Sequence, residues 1–180
     1  MDNVIDINAY RHRVLKERIF GPWHRRFGDT FHLKTRLRDL SGRTLFLLAQ
    51  PGDVSAEPFY DLIMGVLDMG DATDFFYLDD HQKMTVVDIH MFLADHVRFE
   101  MMQRLSWLKI HSCLAYPIVS MVEQFGKFRS LCMKHAPELT RSHPDYPAFS
   151  RLNPMEKQVF IRKMINDALA SFQRQVFSDR

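Results

Sequence analysis

Residues 79–108, DDHQKMTVVDIHMFLADHVRFEMMQRLSWL, form the longest apolar-rich run in the chain, and their spacing decides the fold class. Val86, Ile89, Leu93, Val97, Met101, Leu105 and Leu108 recur at three- and four-residue steps, which puts them on one stripe of an α-helix. A second row, Met84, Val87, Met91 and Ala94, widens that stripe and leaves little beyond Asp88, Asp95, Arg98 and Gln103 for water. The expectation is a helix buried on more than one side, roughly 40 Å long at about 1.5 Å per residue. Asp79 followed by Gln82 matches a capping box at its start.

Working outward, three further helices are expected around this rod. Phe59, Leu62, Ile63, Val66 and Leu67 share one face of a helix at 55–69 opened by Ser55, and Gly70 stops it. Pro117 suits the first position of a helix over 117–135, with Ile118, Met121, Val122, Phe125 and Phe128 inward. Asn153, Pro154 and Glu156 mark the start of a last helix, 154–177. Between these, Phe75, Phe76 and Tyr77 are expected to cover an edge of the core, and the prolines of 136–153 read as an extended loop. Residues 30–50 do not separate a period of 2 from one of 3.6: a small β-hairpin turning at LSGR competes with a helix capped by Ser41.

Residues 6–20, DINAYRHRVLKERIF, read as a first helix capped by Asp6 and ended by Gly21-Pro22. Its apolar row, Ile7, Tyr10 and Val14, is thin, so residues 1–28 are taken as a basic helical arm and residues 29–180 as the helical domain. Fifteen Phe and eleven Met against seven Gly favour adaptable helix packing over a sheet with many tight turns. The expected fold is all-α: a single-domain helical bundle of five to seven helices around the central one. A chain of 180 residues buries roughly 70% of its unfolded surface, so its core needs no staple.

Charge is unevenly distributed. Ten Lys and Arg face five Asp and Glu in residues 1–45, two face eleven in 46–100, and twelve face six in 101–180. Two readings compete: the basic ends fold back onto the acidic middle, or a basic surface engages an acidic partner. For the second, the candidate partner-binding residues are Tyr10, Arg11, Arg13, Lys16, Arg18, Trp23, Arg25 and Arg26. Trp23 and Phe27 also read as core anchors beside a solvated basic pair.

Enzymatic signatures are sparse. The chain has no Gly-x-Ser-x-Gly elbow, no His-Glu-x-x-His, no Glu-x-x-His and no clustered glycines to cradle a phosphate. His90, His96 and Glu100 on the central helix are weak metal-ligand candidates, and no cofactor is expected. His111-x-Cys113 and Cys132-x-x-His135 supply zinc-type donors, but a straight helix over 117–135 would hold its ends roughly 25 Å apart, which also excludes a Cys113–Cys132 disulfide. Two cysteines, acidic residues at the N-terminus and the lack of any run of 18 uncharged apolar residues suggest a cytoplasmic protein without a membrane span. The expected function is a non-enzymatic interaction or regulatory domain for an unknown protein partner or self-association. Nucleic-acid binding through the basic N-terminal segment and a metal-dependent helical enzyme are the alternatives.

Overall fold

Asp79 opens the central helix as its sequence requires. Its carboxylate accepts from the Gln82 N–H, and the Gln82 side chain accepts from the Asp79 N–H in return. The computed structural model describes residues 6–109 and 115–178, and among these it contains ten α-helices and no strand. In chain order they are α1 Ile7–Leu15, α2 Gly21–Phe27, α3 Gly42–Ala49, α4 Asp53–Val66, α5 Asp80–Arg104, α6 Ile118–Glu123, α7 Phe125–Lys134, α8 Tyr146–Phe149, α9 Pro154–Lys163 and α10 Ile165–Phe177. The all-α class is therefore as expected, with shorter helices in larger number.

The long helix α5 ends four residues before Leu108, after which Ser106 takes a positive φ of 61°. Helices α3, α4 and α10 pack against it. Val86, Ile89, Leu93, Val97, Met101 and Met102 fill the core, as do Leu45 and Leu48 of α3 and Leu62 and Ile63 of α4. The second row corrects the expectation that Met84 and Met91 widen the buried stripe. Ala94 is buried, but Met84 and Met91 are 67% and 61% exposed, so the first half of α5 keeps one face in water.

Two expected helices are each broken into a pair. Gln124, at φ −114° and ψ 33°, separates α6 from α7, and Met164, at ψ −9°, separates α9 from α10. At 30–50 the hairpin does not form. Ser41 caps α3 by accepting from the Thr44 N–H, and a single 3-10 turn, Leu37–Asp39, precedes it. α4 begins two residues before Ser55, at Asp53, with Gly52 (φ 84°) at the N-cap position, and Ser55 instead donates to the Gln50 carbonyl. Residues 72–77 form a 3-10 helix in which Phe75 packs on Tyr60 with ring centroids 4.7 Å apart. Phe76 and Tyr77 do not cover the core: they are 81% and 89% exposed.

Cys132 is disulfide-bonded, contrary to the expectation of reduced cysteines. That expectation assumed one straight helix from 117 to 135, which the break at Gln124 removes. His111 and Cys113, and with them the zinc reading of that pair, lie outside the described residues. No helix among the described residues is long and apolar enough to cross a membrane.

Candidate interaction face

The N-terminal segment does not stop at Gly21-Pro22. Asp6 caps α1 by accepting from the Asn8 and Ala9 N–H groups, and the chain then passes through a π-helical turn, Lys16–Phe20, directly into α2. In that turn the Gly21 N–H reaches back to the Lys16 carbonyl. The wider turn absorbs a proline whose missing N–H would break an α-helix interior. Leu15, Ile19, Trp23 and Phe27, four residues apart, then all face inward, and Gly28 at φ 85° ends the run.

This inner face is fixed to α4. The Trp23 indole donates to the Pro58 carbonyl at 3.1 Å, and Trp23, Phe27 and Phe31 meet edge to face, with centroids 5.1 to 6.2 Å apart. A Cβ on Gly65 would come within 2.7 Å of Ile19, so α4 and the π-turn touch where only glycine fits. Trp23, at 3% exposure, is thus a core anchor and drops out of the partner-binding set.

The cations divide into two groups. Arg11 pairs with Glu123 at 2.6 Å, Arg26 with Glu57 at 3.2 Å, and Arg18 lies near enough to Asp71 for its charge to act on that carboxylate. Asp71 is held below the ordinary carboxylate range, mainly by hydrogen bonds from the Thr73 hydroxyl and N–H and least by Arg18. Further on, Arg129 meets Asp88 and Arg162 meets Asp95, so part of the basic excess does fold onto the acidic middle. Among the described residues Arg13, Lys16 and Arg25 form no ion pair. They line a cleft of about 600 Å³ whose floor is Phe20 and Phe31 and whose wall includes His24 and Thr30, with Glu17 as its one acid. The Arg13 guanidinium lies 5.5 Å from the Tyr10 ring centroid, and His24 Nδ1 is 2.8 Å from the Asp29 carbonyl.

Phe20, His24, Thr30 and Phe31 are not among the partner-binding candidates read from the sequence. The four-residue spacing of Lys16, Phe20 and His24 was the available signal.

The three metal candidates do not converge. His96 Nδ1 is 2.7 Å from the Phe92 carbonyl and Nε2 is 3.3 Å from Cys132 Sγ. Glu100 is committed to Arg104 at 2.8 Å. His90 sits on another face of α5 between the rings of Phe59 and Tyr60, beside a cavity of about 190 Å³ that also holds Ser55, Asp95 and Arg98. Burial, and after it the charge of Arg98, lowers the His90 pKa from its ordinary value. No group of three metal-ligating side chains occurs among the described residues. A second cleft, of about 130 Å³ between α5, α7 and α9, is lined by Phe92, His96, Arg129, Cys132 and Arg162.

Fold and face together define a class, an all-α domain with a cationic cleft beside its N-terminal helices. No protein family, curated protein or solved structure matches the chain.

Proposed function

We propose that this chain is a non-enzymatic interaction domain that holds an acidic segment of a partner protein in the cleft formed by α1, the π-turn and α2. The observation that carries the reading is the sorting of the cations. Arg11 and Arg26 are engaged within the chain, while Arg13, Lys16 and Arg25 converge on an apolar floor without a carboxylate partner among the described residues. Cations gathered over low-dielectric walls focus their field, which speeds the encounter with an anionic ligand and selects for it. A segment carrying Asp or Glu beside an apolar side chain would meet both the charge and the floor.

A labelled poly-glutamate peptide tests this by fluorescence anisotropy on the intact chain. Binding is expected at about 50 mM salt, weaker at about 200 mM, and lost in Arg13→Glu/Lys16→Glu/Arg25→Glu. Equal binding by the triple variant, or none by the wild type, overturns the proposal. Duplex DNA in parallel separates the nucleic-acid alternative. A salt slope near −0.9 per phosphate contacted, with no peptide binding, would replace an acidic protein with a nucleic acid as partner.

A further inference from the structure

We propose that the disulfide at Cys132 is exchange-active, opened by small thiols at the cleft between α5, α7 and α9, with His96 holding the Cys132 sulfur once it is reduced. Neither residue lines the cationic cleft, so the inference stands apart from the proposed function.

The setting of His96 carries the inference. Its side chain is 3% exposed and packs against the rings of Phe92 and Phe99, with centroids 4.2 and 5.6 Å away, so the imidazole is held in one orientation. Nδ1 stands 2.7 Å from the Phe92 carbonyl. A carbonyl only accepts, so Nδ1 carries a proton. In the neutral ring Nε2 then presents a lone pair toward Cys132 Sγ, 3.3 Å away. A disulfide sulfur has no proton to offer across that contact, and a thiol has one. Reduction therefore turns the contact into an S–H···N hydrogen bond or, with the proton moved across, into a thiolate–imidazolium pair. His96 thus favours the reduced form over the disulfide.

Access and surroundings agree with this. Cys132 is half-buried and lines the cleft of about 130 Å³, where a small thiol can approach it. Exposed disulfides are the labile ones, whereas structural disulfides resist small thiols. The charged groups nearby are engaged with one another: Arg162 meets Asp95 at 3.2 Å, Arg129 meets Asp88, and Glu100, one turn beyond His96, is held by Arg104. Among these groups His96 is the one in contact with the sulfur.

The chemistry is thiol–disulfide exchange. A thiolate attacks one sulfur of the bond, the S–S bond breaks, a mixed disulfide forms and the other sulfur leaves as a thiolate. A second small thiol then attacks the mixed disulfide and departs as the oxidised pair. Two electrons and two protons pass from the two thiols to the chain, and the proton that reaches Cys132 is shared with His96 Nε2.

The full chain is equilibrated with mixtures of reduced and oxidised glutathione, trapped with iodoacetamide, and Cys132 is read by peptide mass mapping, with circular dichroism on the same samples. The wild type is expected to be reduced at Cys132 within the range that glutathione mixtures span, with its helix content unchanged. His96→Phe keeps the ring and removes the lone pair, and should need a mixture about tenfold more reducing. In the wild type the ¹⁵N resonance of His96 Nε2 should shift on reduction, a reading that does not depend on the variant folding. A Cys132 that stays oxidised in glutathione until the chain unfolds overturns the proposal. So does a folded His96→Phe variant with the wild-type midpoint, or a His96 resonance indifferent to reduction.

Discussion

Two groups of three aromatic residues behave in opposite ways, and the contrast shows how this chain divides its apolar residues between core and surface. Trp23, Phe27 and Phe31 stand four residues apart, so a helix and the loop after it bring all three rings to one side, where they meet edge to face under α4. Phe75, Phe76 and Tyr77 are consecutive. A short 3-10 helix points successive side chains in different directions, so only Phe75 reaches the core. Composition counts six aromatics alike; backbone spacing buries three of them, packs Phe75 against the core and leaves two in water.

The largest expected effect lies in the buried group. Trp23→Ala removes a nearly fully buried indole and leaves the Pro58 carbonyl without its donor, and should lower unfolding stability by about 3–5 kcal/mol in urea titration. A loss of only a few tenths of a kcal/mol would mean that the N-terminal helices are dispensable. Next, Gly65→Ala pushes a methyl group into Ile19 and should cost about 1–3 kcal/mol by the same measurement. A neutral result would show that the π-turn shifts freely over α4.

His90 gives a smaller, pH-dependent effect. Its folded-state pKa is depressed, so the folded chain binds this proton less readily than the unfolded chain. Stability is unaffected while both states are neutral, and falls as pH drops below the ordinary value of 6.5. Phe59, Tyr60, Asp95 and Arg98 surround the ring, and Asp95 already meets Arg98 and Arg162. His90→Phe should flatten the decline of melting temperature between pH 6.5 and 5; an unchanged slope would place the acid sensitivity elsewhere. The smallest effect belongs to the exposed group. Phe76→Ser/Tyr77→Ser should alter the stability of the isolated chain by less than about 0.5 kcal/mol. A large loss would make these rings part of the core.

Helix starts were the most legible part of the sequence, because a cap is a local bond between residues two or three apart. Asp79 with Gln82, Asn153 with Glu156, and Ser41 all form where their spacing points. The breaks at Gln124 and Met164 carry no proline and no glycine at the junction itself, and depend on how each half packs. Gly21-Pro22 read as a stop because a continuing α-helix cannot hold that proline in its interior, whereas after the π-turn it falls in the first turn of α2. Met84 and Met91 have the right period for burial, but period alone cannot count how many neighbours a helix will receive.

The candidate face was legible as a list of basic residues, and its shape was not. Arg11 and Arg26 find their acids at Glu123 and Glu57, far along the chain, and only folding could separate them from Arg13, Lys16 and Arg25. The gap between a basic segment and a cleft is this sorting.

Amide hydrogen exchange across residues 15–27 tests the central claim that the inner face of the N-terminal helices is core and their outer face carries the function. Protection at Ile19, Trp23 and Phe27 comparable to that of Leu93 and Val97 in α5 is the predicted result. Exchange in that segment orders of magnitude faster than in α5 would contradict it, since the cleft would then have no fixed floor.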